Sequence, residues 1–442
     1  MLSLHLPAHL TTTLVKFARC LDRRSGVRLS VILIGILFAR GRRTCTSWFR
    51  AAGITDEFRP AYTTINAVGR KIDSLAITTF LSTVEPLLTA KRLTVAIDDT
   101  PTPRNGPEVE GCGIHHNPTP GPAGQKFYYG HAWVTLVAIV RHPKWDTIAL
   151  PLQAQLYIRE VDVEELPTDR RRTFQTKLQL AVKQLRWLKP WVENQYEERW
   201  VLVDGGYSNK SFLSPAQSEG WVVVGRLRKD AALWSLPEPK RQGQPGPAPT
   251  YGKERLSLAK RAGHKSGWEQ VECVQYGEKL TKKIKTFEAT WRPAGGRIRV
   301  VLIQEEHGWV AFFCTKADAT AVEILEGAAD RGAIEQMFLN VKEVWAAGQQ
   351  QVRNIHSNQA CFNMNLWMYS MVEAWAWNQP EECLSDRSAS PWDNHPRRPS
   401  HNDKRKSLQR EVLQSVIQEG LSGRPTKERM RALADRLMEL AA

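Results

Sequence analysis

Two apolar segments that each end in aspartate constrain the fold of this chain more than any other feature of its sequence. Residues 93–97 alternate large apolar side chains with Thr and Ala and run into Asp98 and Asp99, the pattern of a strand followed by a turn. Residues 200–203 are continuously apolar, as in a central buried strand, and end at Asp204. The carboxyl ends of neighbouring strands in an α/β sheet converge, and ligands bind there. We therefore predict that an acid of the first pair and Asp204 face one pocket.

The residues between these two strands predict a hairpin and then a helix. Two β-rich runs, 131–140 and 147–158, are joined by a short turn. Apolar residues spaced by three and four positions between 174 and 188 form one side of a helix. Residues 101–129 are rich in proline and glycine, and we expect them to form a long loop.

The rest of the chain predicts a β-rich insertion followed by helices. Alternating segments between 269 and 314 predict strands that are separate from the first sheet. The pattern is helical from about 318 to 378. Residues 385–407 are polar and contain prolines and a basic cluster, so we expect a flexible linker there. Two short amphipathic helices are predicted after it, at 407–419 and 425–440.

These patterns divide the chain into five segments. They are an N-terminal helical domain (1–90), the first part of an α/β core (91–225), a β-rich insertion (226–314), the second part of the core (315–380), and a linker with a basic helical C-terminal tail (381–442). We interpret the first segment as a DNA-binding domain, because Arg and Lys are spread through it. A helical cap with a solvated basic face fits the same pattern. The tail fits contact with DNA, contact with a partner subunit, or a solvated surface.

The charge balance favours a polyanionic partner. The chain has 61 Lys and Arg residues against 46 Asp and Glu residues, a formal net charge of +15. Nucleic acid is the first class of partner that such an excess indicates, and an acidic membrane surface is the second. The apolar run 31–38 is far shorter than the roughly 20 residues that cross a bilayer, so we expect no membrane anchor.

The cysteines and histidines give little support for a zinc or disulfide framework. The seven cysteines are scattered and never spaced as Cys-x-x-Cys, which predicts a cytoplasmic protein in a reducing compartment. Cys112, His115, His116 and His131 are potential zinc ligands, but their spacing matches no standard finger. Packing in a loop, or a place near phosphate, is the alternative for the histidines. No strand–glycine loop–helix unit with a Lys-Ser/Thr pair is present, so we expect no nucleotide cofactor.

A third acid stands between two cations on a predicted helix. At about 100° per residue, Arg331, Glu335 and Lys342 fall within one stripe of a helix over 330–342. Apolar residues on the neighbouring side would dock the helix. A solvated helix with an exposed ion pair, which contributes little to stability, is the other interpretation.

Strand alternation leaves the choice between Asp98 and Asp99 open. Asp99 shares a face with Val95 and Ile97, and Asp98 lies on the other face. Because both faces of a central strand can be buried, periodicity favours neither acid. A simple turn opener is a further interpretation of the pair.

The chain resembles the DDE transposases of bacterial insertion sequences, in the group with a β-rich insertion before the catalytic Glu. The resemblance spans roughly residues 90–380 and rests on three motifs: 97–100, 201–207, and an Arg, Glu and Lys separated by three and six intervening residues. It implies an RNase H-like mixed sheet flanked by helices. Two positions depart from the family pattern, because Ala328 stands where the family has Tyr and Gly332 where it often has a bulky aromatic residue.

The resemblance also implies a mechanism and partners. Asp99, Asp204 and Glu335 would be the catalytic metal ligands, and Arg331 and Lys342 would bind DNA phosphate. Three carboxylates at one site need cations, and two Mg²⁺ ions, with Mn²⁺ as a substitute, are hard ions that suit oxygen ligands. The expected substrate is double-stranded DNA, cut at terminal inverted repeats and joined to target DNA by a homodimer. Such a protein would act at the nucleoid.

Three other functions fit parts of the sequence. A catalytically degenerate relative that binds DNA without cutting it would explain Ala328. A structure-specific nuclease on the same fold would use the same acids. A glycosidase with two carboxylates would need neither metal nor DNA, but the net charge and the cations around Glu335 argue against it.

Overall fold

The computed structural model of this chain describes residues 6–117, 124–240, 245–385, 392, 397–421 and 426–441. Its strands are β1 (Arg92–Pro103), β2 (Gly113–His116), β3 (Phe127–His142), β4 (Asp146–Tyr157), β5 (Glu198–Val203), β6 (Val222–Leu227), β7 (Leu233–Trp234), β8 (Arg255–Leu256), β9 (Glu269–Gln275), β10 (Glu278–Trp291), β11 (Gly296–Glu305) and β12 (Gly308–Cys314). Its helices are α1 (Ala8–Arg19), α2 (Arg23–Phe38), α3 (Cys45–Ala51), α4 (Arg59–Gly69), α5 (Ile72–Thr79), α6 (Glu160–Val163), α7 (Lys177–Val192), α8 (Lys210–Ser218), α9 (Leu258–Gly263), α10 (Ala321–Asp330), α11 (Ala333–Glu343), α12 (Ile355–Ala376), α13 (Glu381–Leu384), α14 (His401–Leu421) and α15 (Lys427–Ala441).

The described strands join one mixed sheet. Its central strands follow the order β4-β3-β1-β5-β6, in which β3 is antiparallel to β1 and both β5 and β6 are parallel to β1. Helices α7, α10, α11 and α12 pack against this sheet. The predicted α/β class, an RNase H-like mixed sheet flanked by helices, is confirmed. The predicted hairpin is also present and consists of β3 and β4.

Strand β1 is longer than the sequence predicts. It continues to Pro103, and β2 pairs with β3, so the prediction of one long loop over 101–129 is wrong. The pairing of β1 with β5 stops at Ile97, whereas its pairing with β3 continues to Pro103. Beyond Ile97 the strand therefore has an open edge, where prolines without a backbone N–H are tolerated. Residues 118–123 of the predicted loop lie outside the described residues.

The β-rich insertion continues the first sheet, which corrects the prediction that it is separate. Its four main strands lie where the sequence predicts them, but β12 pairs with β6, from Ala311 opposite Leu227 to Cys314 opposite Val224. Without β12, that side of β6 would be an edge with unpaired backbone groups. Alternation of side chains predicts a strand but does not name its partner, so the sequence could not reveal this pairing.

The N-terminal helices pack directly on the core. Helix α4 lies along α12, and one continuous cluster of buried apolar side chains extends from α1 to α14. Gly69 lies so close to α12 that a Cβ there would overlap the carbonyl oxygen of His356. The side-chain amide of Asn66 donates to Asn354 at 2.8 Å, which fixes the two helices further. The helical prediction for this segment is confirmed, and its role in DNA binding stays a prediction.

The apolar run 31–38 forms the second half of α2 and packs into this core. None of the helices described in the structure combines the length and the apolar composition needed to span a bilayer.

The C-terminal tail docks through buried charges. Glu373 of α12 accepts hydrogen bonds from His401 and Lys404 of α14, each at 2.6 Å. Burial favours the neutral acid, but the positive charge of Lys404 and the bond from His401 outweigh it and lower the pKa of Glu373 to about 2. The guanidinium of Arg405 donates to the backbone carbonyl of Leu37 at 2.7 Å. The side chains of Lys404 and Arg405 are therefore buried and paired, not solvated.

The prediction of a flexible linker over 385–407 is accordingly wrong for its last residues, because α14 begins at His401. A polar composition cannot distinguish charges that face water from charges that neutralise one another between helices. Residues 386–391 and 393–396 of the predicted linker lie outside the described residues.

We expect Gly69→Ala to lower the melting temperature, because the added methyl group must push α4 away from α12. Overpacking of this kind costs about 1–3 kcal/mol. Gly263→Ala in α9 is the matched control, since nothing lies within 4 Å of a Cβ at that position. Thermal unfolding followed by circular dichroism compares the two. Equal melting temperatures would show that the two helices separate without cost.

Candidate active site

Asp98 and Asp204 lie side by side where the parallel pairing of β1 with β5 ends. Ile97 of β1 is paired with Val203 of β5, so the next residue of each strand is an aspartate at the same level of the sheet. Residues in register on neighbouring strands point to the same face. The face is that of Leu202, which packs against Gly327 of α10. The sequence-predicted convergence of the two strand ends is therefore found for Asp98 and Asp204.

Arg331 connects Asp98 to Glu335. One guanidinium nitrogen lies 2.6 Å from Asp98 Oδ2, and the other terminal nitrogen lies 3.2 Å from Glu335 Oε1. Arg331 and Asp98 are largely buried, whereas the Glu335 carboxylate is 67% exposed. The structure thus brings three of the predicted site residues, Asp204, Glu335 and Arg331, to one end of the sheet around Asp98.

The helix that carries Glu335 begins later than the sequence predicts. The prediction of one helix through 330–342 is wrong, since α10 ends at Asp330 and α11 begins at Ala333. Arg331 and Gly332 form the junction between the two helices, and Arg331 still reaches the Glu335 carboxylate four residues on. From this junction the guanidinium also reaches Asp98 of β1.

The environment of Asp98 disfavours its charge. Burial raises the pKa of Asp98 to about 6, and the neighbouring negative charges of Asp99 and Asp204 act in the same direction. The guanidinium of Arg331 and the backbone N–H of Asp99 oppose this rise. Two carboxylates that lie close together and are partly shielded from water attract cations. Among the described residues, the guanidinium of Arg331 is the only cation in contact with Asp98.

Asp99 points to the other face of β1. Its carboxylate lies 2.5 Å from Nζ of Lys177, the first residue of α7. The sequence analysis did not identify Lys177, although it offers a signal. A lysine in the first turn of a helix without an acid opposes the helix dipole, so such a residue is better explained by a partner outside the helix. The metal-binding role that the resemblance implies for Asp99 stays a prediction.

Tyr207 lies beneath the acids. Its side chain is buried, and its hydroxyl has no hydrogen-bond partner among the described residues. Burial raises the pKa of Tyr207, and the charges of Asp99, Asp98 and Asp204 raise it further. The phenol therefore remains protonated and has a free donor next to the carboxylates.

Lys342 lies two helical turns beyond Glu335, about 10 Å along α11. The ammonium group makes no hydrogen bond or ion pair with any residue that the structure describes, and burial lowers the pKa of Lys342. A partly desolvated cation without a counter-charge suits an anionic ligand, such as a phosphate.

An aromatic side chain from the insertion lies at the helix junction. Tyr276 is in the turn between β9 and β10, is 75% exposed, and has a positive φ of 55°. A Cβ on Gly332 would lie 3.4 Å from its ring, an ordinary van der Waals contact, so Tyr276 lies directly against the junction. Ala328 is partly buried in α10. The sequence analysis missed Tyr276 because the contact joins elements far apart in the chain.

The donor atoms of this site suit a hard divalent ion. Asp98, Asp204 and Glu335 offer carboxylate oxygens, which Mg²⁺ and Mn²⁺ prefer. Within the described ranges, no three acidic, histidine or cysteine side chains come close enough together to hold an ion as they stand. Arg331 lies between Asp98 and Glu335 and contacts both. The site therefore has oxygen ligands that suit a divalent ion, and in this structure the positive charge of Arg331 balances two of them.

The histidines near Cys112 have structural partners. His131 is fully buried, with Nδ1 accepting from Arg104 at 3.4 Å and Nε2 lying 3.1 Å from the carbonyl of Glu110. The ring of His115 stacks on Tyr128 with centroids 5.3 Å apart. Both nitrogens of His131 are engaged, so this ring is a packed side chain of β3 that contacts the loop at Glu110.

A sequence model of the family described as "DDE superfamily endonuclease" matches residues 16–296, which is more than half of the chain. The matched range includes Asp98, Asp99 and Asp204 and ends before α11, so Glu335 lies beyond it. A comparison with curated proteins found no significant match.

Acidification from pH 7.5 to 5.0 is expected to cost about 2 kcal/mol of stability through His131 alone. Burial, and then Arg104, lowers the pKa of His131 to about 3, so below about pH 6.5 the unfolded chain binds a proton that the folded protein does not. The stability is thus complete above pH 6.5 and is lost as the pH falls. Denaturant unfolding at both pH values measures the effect.

The variant His131→Asn should show a smaller loss between these pH values than the unmodified protein. The control is His307→Asn, which replaces an exposed histidine and should leave the loss unchanged. An identical pH dependence in all three proteins would contradict the assignment to His131.

Proposed function

The chain belongs to the DDE superfamily of endonucleases, and we propose that it is a transposase that cuts DNA at terminal inverted repeats and joins the ends to target DNA. One observation carries this proposal: where the pairing of β1 with β5 ends, Asp98 lies level with Asp204 and contacts Arg331, which also contacts Glu335. The net charge of +15 supports a polyanionic substrate. Family membership leaves the two-carboxylate glycosidase without support.

Asp98, in place of Asp99, is the first carboxylate in this proposal. Its support is the parallel register with Asp204 and the contact with Arg331. Asp99 has a different task, which is to hold Lys177 at the start of α7. The resemblance to transposases implied Asp99, and the two assignments make opposite predictions for single substitutions.

Two divalent ions, Mg²⁺ or in its place Mn²⁺, would be held by Asp98, Asp204 and Glu335. Such ions activate a water or a 3′-hydroxyl and stabilise the leaving oxygen in phosphoryl transfer. Arg331 now balances two of the three carboxylates, and its planar fork also fits a phosphate. Lys342 adds a point charge farther along α11 and would bind the DNA backbone.

Cleavage of both ends of an element requires two active sites, so we propose that the protein acts as a homodimer on DNA at the bacterial nucleoid. A structure-specific nuclease without strand transfer is the second candidate, because the family description names only endonuclease activity. A strand-transfer assay separates the two. Products joined to a target plasmid support the transposase, and cleaved ends without joined products support the nuclease.

Single amide substitutions should separate the catalytic acids from their neighbours. We expect Asp98→Asn, Asp204→Asn and Glu335→Gln each to abolish cleavage of a labelled duplex that carries the DNA flanking the gene, with Mg²⁺ present. Asp99→Asn should lower the rate by only about 10- to 100-fold, as substitutions that act through a neighbour do. Gel-shift binding of the same duplex checks that each variant still binds. Full loss in Asp99→Asn with activity retained in Asp98→Asn would reverse the assignment.

Lys342→Ala should weaken DNA binding at every sequence, because a backbone phosphate contact carries no sequence information. The slope of log affinity against log salt should become shallower by about 1. Fluorescence anisotropy with a labelled duplex at several KCl concentrations measures both quantities. Lys91→Ala removes an exposed lysine that is paired with Glu197 and should behave like the unmodified protein. An unchanged slope in Lys342→Ala would contradict the phosphate contact.

A further inference from the structure

A large basic cavity lies at the edge of the sheet, outside the carboxylate site. It has a volume of about 820 Å³ and is lined by six basic and two acidic side chains, together with a histidine. We call it the basic cleft and define it by Arg70, Arg170, Arg172, Lys183 and His356. Its walls come from the end of α4, the end of β4, the segment before α7, and the start of α12.

The basic cleft lies at the same level of the sheet as the carboxylates. Asp98 of β1 is paired with Thr135 of β3, and Thr135 is paired with Ala154 of β4, which lines the cleft. Two strand spacings separate Asp98 from Ala154, a distance of about 10 Å. Successive phosphates of one DNA strand advance by about 3.4 Å along the duplex, so this span corresponds to about three nucleotides.

The central cation of the cleft has no counter-charge. Arg172 is partly buried, and it makes no hydrogen bond or ion pair with any residue in the described ranges. Burial lowers the pKa of Arg172. A desolvated and unpaired guanidinium is unfavourable in a free protein, and an anion in the cleft would remove that cost.

The described acids near the cleft neutralise Arg170 but leave the other cations of the cleft without an acidic partner. Asp73 accepts from the Gln153 amide at 2.6 Å, and Asp169 is 69% exposed and lies 3.3 Å from Arg170. Glu110 also pairs with Arg170, at 2.5 Å. No described acid pairs with Arg70 or Lys183, so the cleft retains an excess of positive charge.

His356 provides a donor or acceptor at the back of the cleft. It lies in the first turn of α12, and its Nδ1 atom is buried without a hydrogen-bond partner among the described residues. Burial and the nearby charges of Arg172, Arg70 and Arg170 lower the pKa of His356. The three guanidinium groups therefore lie near an uncharged imidazole, which does not reduce their positive charge.

Two walls of the cleft pack closely against each other, and a third leads to the carboxylate site. The overlap that a Cβ on Gly69 would make with the His356 carbonyl shows that Arg70, the next residue, sits on a wall fixed against α12. The segment that carries Arg170 and Arg172 leads into α7, whose first residue, Lys177, pairs with Asp99. A ligand held in the cleft is thus held relative to β1.

We propose that the basic cleft binds backbone phosphates of the DNA strand whose reacting phosphate lies at Asp98, Asp204 and Glu335. This inference rests on the proposed function for its substrate. It assigns Arg70, Arg172, Lys183 and His356 to holding the strand a few nucleotides from the point of cleavage. These residues position DNA and take no part in the reaction itself.

The test measures DNA binding without cleavage. In the Glu335→Gln protein, fluorescence anisotropy of a labelled 30-bp duplex is recorded at several KCl concentrations. We expect Arg172→Gln to weaken binding roughly tenfold, the loss of one charge-assisted hydrogen bond. The salt slope should become shallower by about 1, and by about 2 when Arg70→Gln is added. Arg186→Gln is the matched control, because that exposed arginine pairs with Glu219, the residue that follows α8, and does not line the cleft.

Three further outcomes decide what the cleft does. Arg172→Gln should keep or raise the melting temperature, since it removes an unpaired charge, and a lowered temperature would show a structural role. Wild-type duplex affinity in the double variant, with the slope still reduced in Lys342→Ala, would overturn the cleft and leave the proposed function standing. Stabilisation by inorganic pyrophosphate that is lost in Arg172→Gln, with duplex affinity unchanged, would overturn DNA in favour of a small phosphate ligand.

Discussion

Two carboxylates held side by side in a partly desolvated place set the conditions for the rest of this structure. The parallel register of β1 and β5 makes Asp98 and Asp204 neighbours. Their mutual repulsion and the burial of Asp98 must be balanced by positive charge. Arg331, at the junction between α10 and α11, provides it.

The positive charges of the chain fall into two groups that differ in how they are balanced. Arg331 is neutralised by the carboxylates it contacts. Lys342 and Arg172 are partly buried and have no counter-charge within the described residues. A folded protein keeps such unpaired cations at a cost, so they mark the surfaces where an anion completes the structure. Net charge reports the sum of both groups and cannot separate them.

Local patterns predicted the elements of the fold, and long-range contacts accounted for what was missed. The starts of β1 and β5, the hairpin, and the strands of the insertion follow from alternation and apolar runs, whereas the continuation of β1 to Pro103 does not. The pairing of β12 with β6 does not, because alternation carries no information about partners. The same limit applies to the site. Alternation alone left Asp98 and Asp99 equivalent, and it could not reveal the register with β5 that puts Asp98 level with Asp204. Tyr276 contacts the junction at Gly332 although the two residues are far apart in the chain, and neither local sequence pattern indicates this contact.

The buried charges between α12 and α14 have a consequence for how this chain can be shortened. Glu373 is buried, and its negative charge is stabilised by His401 and Lys404 of α14. A chain truncated before α14 would keep Glu373 and lose both of its partners, so the carboxylate would have no counter-charge. Glu373 belongs to α12, and the first turn of this helix lines the basic cleft. Helix α14 is therefore part of the folding unit, and we expect a fragment that ends at the end of α12 to be less stable than the full chain.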